Sequence, residues 1–570
     1  VPRRLRRQAG VARASALARA GAGAHEAGAA MPLSRAAPSP DDLPPIAAGK
    51  LAVPLATGLW RGALRWLPAL LPALVFLPMV LSPPLNHDVA AVLQFSQRWL
   101  GGEKLYSDLI DVNPPLIYVL NLIPAAIAAY TPIGAVAALR LCLLAYGGVC
   151  WLLAVRTRDR AAEGPAERAF LDVLPALFLL DAGYDFGQRE HIMAVAALPY
   201  VLAAARRVSG DVPRGRVPIA LIAGVAFAIK PYFLGIPALV ELAVLIGVGW
   251  RAALRDPVPW LLALVWALYL ASLPLVFPAY LYSTLPLVWD YYLDLGGLTP
   301  WQVLFVSRLG AAECLLIPLL WIAFRPGVPF RPRGASLPRL MGLAALGAFA
   351  SAVVQHKGWS YHIVPIELFA CGLAAVLAAR WIDRIRGGGA VGPGPGPWKI
   401  AGALGGLFAL YAISNGEAPW KELDYADSPV AQLTAQLREH AAGERVLVLS
   451  PGIYPIFPAL NYAGVKATLR TMNMWLLEGA YGDCLANGHR YREVWEMPRA
   501  EFFVFRTVAE DFARAPPAAV VVDDDPGIPW CGRQFDFVEY FNRNPLFAEI
   551  WSQYRLTAQW DNYRLYTRKE

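Results

Sequence analysis

Apolar runs close to the length of a membrane-spanning helix, about 17–25 residues, recur between residues 63 and 414, most of them closed by a short loop. The segments are 63–83, 134–155, 169–183, 190–206, 217–231, 232–249, 257–277, 301–324, 338–355, 361–380 and 398–414. So many such runs cannot all be buried in a water-soluble core, and helices are the one open-chain way to satisfy their backbone in lipid. Composition agrees: 57% of residues are hydrophobic, 16% are charged and the mean hydropathy is +0.41, whereas soluble domains average roughly 45–50% apolar and about 25% charged. An ordinary soluble globule and a disordered chain are both excluded. The net charge of +8 does not point to nucleic acid, because the basic residues fall in loops between apolar segments. The expected fold is a polytopic α-helical membrane protein of about eleven transmembrane helices, carrying a C-terminal extracytoplasmic α/β domain.

Lys and Arg accumulate on the cytoplasmic side of membrane proteins. One set of loops carries Arg156, Arg158, Arg160 and Arg168, then Arg206, Arg207, Arg214 and Arg216, then Arg251 and Arg255. The same set continues with Arg325, Arg331, Arg333 and Arg339, and with Arg380, Arg384, Arg386 and Lys399. The alternate loops hold little beyond Arg189, Lys230 and Lys357. This asymmetry places the N-terminus inside and residues after 414 outside. The apolar stretch 116–130 is short and has outer segments on both sides, so it reads as a re-entrant or interfacial helix, with a full span as the alternative. No internal repeat is visible, which argues against an inverted-repeat transporter.

Residues 415–570 are richer in charge, and RVLVLS (445–450) and AAVVVDD (518–524) read as strands, LTAQLREHA (433–441) as an amphipathic helix. Cys484 and Cys531 are the two cysteines of this part, where an extracytoplasmic compartment permits a disulfide and two free thiols are the alternative. Residues 1–60 are rich in Ala, Arg, Gly and Pro. They read as a disordered or mis-assigned extension, with Met31 as a more natural start and a transit peptide as the alternative.

Ionisable residues near membrane depth are costly and mark candidate sites, and here they gather at the outer ends of the spans. Asp88 follows the first span and opens an amphipathic helix with Val92, Phe95 and Trp99 at helical spacing; it is either a first-turn acid favoured by the helix dipole or a chemical group. Asp108 and Asp111 read as turn residues before Pro114 and Pro115. The run DAGYDFGQREH (181–191) crowds Asp185, Gln188, Arg189, Glu190 and His191 into one outer junction. Arg189 there suits either a structural ion pair with Glu190 or Asp185, or recognition of a phosphate beside hydrogen bonds to a sugar. Lys230, in AIKPYF (228–233), either snorkels to the interface or meets an anion. QHKGWSYH (355–362) brings His356, Lys357, Trp359, Tyr361 and His362 to another outer junction. Its histidines lack HExxH spacing and a nearby acid, so no metal site is read there. The loop 278–300 carries Tyr280, Tyr282, Trp289, Tyr291 and Tyr292 with Asp290 and Asp294, an interfacial aromatic belt or a substrate vestibule.

With these residues the sequence resembles the GT-C glycosyltransferases, specifically the protein-O-mannosyltransferase and lipid A aminoarabinose-transferase branch. The likeness spans about 63–414 and rests on four features: Asp88 directly after the first span; the run of Gly102, Tyr106, Asp108, Pro114, Pro115 and Leu116; Lys230 near an outer helix end; and the order of spans around a second long outer loop. Two departures stand out. The family's frequent Asp-Glu pair is Asp88-Val89, and its Lys-Pro is Asn113-Pro114.

The resemblance implies an inverting transfer of a sugar from a polyprenyl-phosphate donor to an envelope glycan, lipid or protein on the outer face of a bacterial inner membrane. Asp88 would be the base. Lys230, Arg189, Lys357 and His356 would hold the donor phosphate. Asp185, Gln188, Glu190, His191, Tyr361 and His362 would contact sugar or acceptor. Some relatives use a divalent cation, Mg or Mn, although no ligand set for one is apparent in this sequence. A polymerase or ligase with a polymer acceptor, a flippase for lipid-linked sugars and a non-catalytic assembly protein are the alternatives.

Overall fold

In a computed structural model the described residues are 67, 71, 74, 75, 77, 81 and 84–570, apart from 294, 326–335, 387–395, 415–424, 482–483, 486, 529–533 and 570. All belong to one compact unit, Arg61–Glu570. The expectations for residues 1–60, for most of the span 63–83, for Asp294 and for Cys531 lie outside the described residues.

The membrane part begins with α1 (His87–Leu100) and α2 (Leu116–Tyr130), then α3 (Ala135–Thr157), α4 (Pro165–Leu180), α5 (Arg189–Val208) and α6 (Arg216–Ala228). It continues with α7 (Gly235–Val248), α8 (Pro257–Val276), α9 (Leu285–Tyr291), α10 (Leu309–Ala323), α11 (Ser336–Gln355), α12 (Ser360–Ile385) and α13 (Pro397–Ser414). Among the described residues, six helical segments are long and apolar enough to cross a membrane: α3, α5, Pro231–Val248, α8, α11 and α12. The predicted spans 169–183, 217–231 and 301–324 are realised as shorter helices. In the last of these, a wide turn at Gln302–Val306 gives way at extended Ser307, and α10 starts only after Arg308. The 116–130 segment is a 15-residue helix, about 22 Å long at 1.5 Å per residue and shorter than a hydrocarbon core of roughly 30 Å.

The arginine-rich loops converge at one end. Arg158 bridges Glu163 and Asp172, Arg380 bridges Glu167, and Arg207 bridges Glu241 and Asp256. Residues from four of these loops, Arg158, Arg206, Ser336 and Arg380, line one small cleft there. Within the bundle, α7 and α11 touch backbone to backbone. A Cβ on Gly347 would stand 2.7 Å from the carbonyl oxygen of Gly235 and from the Cα of Ile236. Small residues permit this approach between apolar helices. Gly347→Val is therefore expected to destabilise the protein by about 1–3 kcal/mol, read as a lower unfolding midpoint in detergent; an unchanged midpoint would contradict the packing.

The C-terminal part comprises α14 (Pro429–Ala441), β1 (Arg445–Leu449), α15 (Ile456–Ala463), β2 (Lys466–Ala467), α16 (Trp475–Ala480), α17 (Arg499–Arg514), β3 (Ala519–Asp523), α18 (Phe537–Asn542), α19 (Pro545–Trp551), β4 (Tyr554–Trp560) and β5 (Tyr563–Arg568). The sheet order is β2-β1-β3-β5-β4. β1 pairs in parallel with β2 and β3, with Leu447 opposite Val520, while β5 is antiparallel to β3 and β4. Alternate residues point to opposite faces of a strand. Val446, Val448, Ala519 and Val521 face the core that continues into the membrane helices, and Leu447, Leu449, Val520 and Val522 pack in a second core with Phe505 and Phe512 of α17 and Phe541 of α18. Cys484 is disulfide-bonded, and Cys142, Cys150, Cys314 and Cys371 form no disulfide among the described residues.

The sheet domain is clamped to α1. Gln94 donates to the carbonyl of Val465 and accepts from the backbone N–H of Ala467. Asn461 donates to the carbonyl of Ala90, and Arg98 to that of Leu469. Arg98 also pairs with Glu103, which Arg445 approaches from β1. The polar positions of α1 thus face protein, which keeps the start of the helix in a fixed position under the sheet domain.

Candidate active site

Three local devices place the polar residues. First, Asn86 caps α1, its side-chain oxygen accepting from the backbone N–H of Asp88 at 3.0 Å, so Asp88 sits in the first turn, where a negative charge suits the helix dipole. Second, the turn before α5 passes through Gly187 at φ +88°. A Cβ there would also lie 2.8 Å from Leu143, so only glycine fits, and the chain emerges with Gln188 and Arg189 aimed at α1. Third, Pro231 disfavours helical geometry in the residue before it. Lys230 is extended (φ −135°, ψ 137°), which ends the preceding helix and turns the lysine toward α5.

These devices bring two cavities side by side. The first, about 410 Å³, is lined by His87, Asp88, Asp111, Asp185, Arg189 and Tyr361 from the membrane part and by Ile453, Met472, Asn473, Trp475 and Glu478 from the sheet domain. The second, about 270 Å³, is lined by Arg189, Lys230, His356, Lys357, Tyr361 and His362, and by Pro231, Tyr232, Trp289 and Val354. Arg189, Tyr292, Trp359 and Tyr361 are common to both. Trp289 is 70% and Val354 62% exposed, so the second cavity has an apolar rim on the outside of the helix bundle.

In the first cavity one Asp88 oxygen, Oδ2, accepts from Arg189 Nη2 at 3.0 Å and from Gln188 Nε2 at 3.1 Å, and the His87 ring stands 3.7 Å from Oδ1. Burial works to raise the Asp88 carboxyl, but His87, Arg189, the Gln188 hydrogen bond and Lys230 together hold it below its usual value. Asp111 accepts from Tyr118 and from both nitrogens of Asn113. Asp185 accepts from Asn86 at 3.1 Å. Tyr184 lies 2.7 Å from His87 Nδ1.

In the second cavity Lys230 Nζ donates to Glu190 Oε1 at 2.6 Å and to Gln355 Oε1 at 3.3 Å, with the Tyr361 ring 5.1 Å away. Glu190 Oε2 and His362 Nδ1 are buried without a hydrogen-bond partner among the described residues. Lys357 donates to the carbonyl of Tyr292 and stands 3.6 Å from the centre of that residue's ring. Three cations, Arg189, Lys230 and Lys357, thus surround one cavity that can take an anion, while a carboxylate waits in the next.

Asp88, Asp185, Arg189, Lys230, His356, Lys357, Tyr361 and His362 all line one or both cavities. Gln188 and Glu190 stand behind the lining, holding Asp88 and Lys230. His191 does neither: its Nδ1 accepts from the Gly187 backbone and its Nε2 meets the carbonyl of Phe178. Burial pins it as a brace of the turn, with both ring nitrogens engaged by backbone groups. Asp108 caps its own loop at the Lys104 N–H. Among the described residues no group of three or more His, Cys, Asp or Glu is placed to hold a metal ion. Sequence reasoning missed the sheet-domain wall, Asn473, Trp475 and Glu478, and also His87 and Tyr184 beside Asp88. His87 adjoins Asp88 and Tyr184 lies within DAGYDFGQREH; nothing local marked the others.

No family profile matches the sequence, and no curated protein matches it. Solved structures do. ArnT from Cupriavidus metallidurans bound to undecaprenyl phosphate superposes with a TM-score of 0.51 at 15% identity, covering 90% of this chain and 98% of that one. Its apo form gives 0.51 at 14% identity over the same shares. The chain therefore has the ArnT-like GT-C fold: a polytopic helical membrane domain with a C-terminal domain.

Proposed function

We propose that the protein is an integral-membrane glycosyltransferase that moves a sugar from a polyprenyl-phosphate donor to an envelope acceptor at the outer face of the membrane. The observation that carries this reading is the position of Arg189, which belongs to both cavities and pairs with Asp88 in one while standing with Lys230 and Lys357 in the other. The donor's phosphate fits the cationic cavity, and its lipid tail leaves over the exposed Trp289 and Val354. That ArnT was crystallised with undecaprenyl phosphate supports such a donor.

The reacting carbon then lies at the boundary of the two cavities. Asp88 takes the proton as the acceptor O–H bond breaks. The acceptor oxygen bonds to the anomeric carbon from the face opposite the phosphate, which inverts the configuration. The bond from that carbon to the phosphate oxygen breaks, and its electron pair stays on the lipid phosphate, where Lys230, Arg189 and Lys357 stabilise the added charge. As Arg189 turns toward the phosphate, Asp88 loses the partner that weakens it as a base. His356 and His362 line the phosphate side, and Tyr361 walls both cavities. The arginine-rich end of the bundle is then cytoplasmic and the sheet domain extracytoplasmic, in the periplasm of a bacterial cell.

The test is turnover of a panel of undecaprenyl-phosphate sugars by the purified protein in lipid bilayers. Consumption of one donor, with release of undecaprenyl phosphate and an inverted product anomer by NMR, is the expected result. Movement of intact lipid-linked sugar between leaflets without its cleavage would instead make the protein a flippase.

A further inference from the structure

The sheet domain contributes one short helix, α16, to the wall of the Asp88 cavity. Two of its side chains reach the cavity, Trp475 and Glu478, and their i, i+3 spacing puts them on one face. Trp475 is 3% exposed, and its indole N–H is buried without a hydrogen-bond partner among the described residues. Glu478 is half-buried, and its carboxylate makes no hydrogen bond or ion pair among the described residues. The cavity therefore holds an unused acceptor beside the indole ring of Trp475. Burial also raises the Glu478 carboxyl, against a smaller lowering by Lys357.

The position of α16 is tightly set. A Cβ on Gly479 would lie 2.7 Å from the carbonyl of Tyr291, so the helix rests directly on the outer loop. The rings of Trp475 and Tyr292 meet edge to face at 5.4 Å. Glu478 is thus held across the cavity from the membrane helices by contacts that do not involve its own carboxylate.

The charge of the cavity narrows what it can accept. Its lining includes the carboxylates Asp88, Asp111, Asp185 and Glu478, and its one arginine is already paired with Asp88. A phosphate entering as nucleophile would face these four carboxylates, with the lining arginine already paired, and like charges at close range in a low-dielectric site repel strongly. Flat aromatic walls with an acceptor carboxylate instead suit a ring bearing hydroxyl groups.

We propose that the acceptor is an uncharged, hydroxyl-bearing carbohydrate, and that Glu478 and Trp475 bind and orient it for attack through one of its hydroxyl groups. This rests on the transferase reading and adds to it the chemical class of the acceptor.

The experiment compares acceptors in bilayers holding the full chain and whichever undecaprenyl-phosphate sugar it consumes. The acceptors are neutral methyl glycosides and disaccharides, beside the same sugars carrying a phosphate. Equilibrium binding of undecaprenyl phosphate and slow donor hydrolysis by water are measured in the same samples. Neutral sugars are expected to be the better acceptors. Glu478→Gln is expected to raise the acceptor KM about 10-fold, as for a lost hydrogen bond to a charged group, while donor KM holds. Trp475→Leu, which removes the flat ring from the cavity wall, is expected to raise acceptor KM by a smaller factor. Glu478→Lys is expected to shift the preference toward the phosphorylated sugars. Sugar transfer mainly to phosphorylated acceptors by the wild type, or an unchanged acceptor KM in Glu478→Gln, overturns this proposal and leaves the transferase reading standing. Failure of the wild type to bind undecaprenyl phosphate or consume any donor overturns both.

Discussion

Asp88→Asn is expected to lower kcat for sugar transfer by about 100- to 10,000-fold, the range found when a positioned general base is removed. The substitution is nearly isosteric, and its amide can still accept from Gln188 and Arg189 at the positions where Oδ2 now does so. The helix start is held by Asn86 and is independent of the Asp88 side chain. Undecaprenyl phosphate binding should therefore survive while turnover does not, and the unfolding midpoint should fall because Arg189, 6% exposed, loses its charge partner. A variant that matches wild type would remove Asp88 from the chemistry. The pH dependence gives a second readout. Because the Asp88 carboxyl is held below its usual value, the acidic limb of kcat/KM should fall below the ordinary aspartate pKa of about 3.9. In stability terms, a lowered folded-state pKa means that the ion pair stabilises the fold above the unfolded-state value and is lost as pH falls through the folded one.

Lys230→Met should have the second largest effect, and it separates into two parts. Lys230 is the partner of Glu190, which is 2% exposed. Removing one member of a buried pair leaves the other charge uncompensated, at a cost of roughly 3–5 kcal/mol. If the lysine also stabilises the departing phosphate, its loss should lower kcat by about 100- to 1,000-fold, the scale of a lost electrostatic contact to a developing charge. The double variant Lys230→Met, Glu190→Gln distinguishes them: stability should largely return, because the stranded carboxylate is gone, and activity should not. Recovery of both would make Lys230 a purely structural partner of Glu190.

The parts of this molecule legible in the sequence are those fixed by neighbours along the chain. Apolar runs and arginine-rich loops marked the spans, and RVLVLS and AAVVVDD are adjacent parallel strands, β1 and β3. The turn at Lys230 follows from Pro231, one residue away. The DFGQRE junction could be read because a turn that spends so many polar residues must place them somewhere. Its limits showed at His191, whose residue type suggested chemistry while both ring nitrogens serve backbone groups. Residue type alone carries no information about such partners.

The remainder was hidden by distance. Gln94 and Arg98 lie among the polar positions between Val92, Phe95 and Trp99, and they meet Val465, Ala467 and Leu469, far along the chain. Glu478 and Trp475 reach the Asp88 cavity from α16, whose sequence, WLLEGA, resembles any short buried helix. The break in 301–324 had a local cause, Ser307 and Arg308 inside an apolar run, but the hydropathy of the whole segment outweighed it.

The central claim is that a polyprenyl phosphate enters between the helices at the Lys230–Lys357 cavity. Photocrosslinking with a diazirine-bearing undecaprenyl phosphate, followed by peptide mapping, tests it most directly. Adducts on the segments carrying Tyr232, Trp289 and Val354, suppressed by excess unlabelled undecaprenyl phosphate and weakened in Lys230→Met, are the expected result. Competable adducts confined to other faces of the bundle, or labelling that unlabelled lipid does not suppress, would contradict the account.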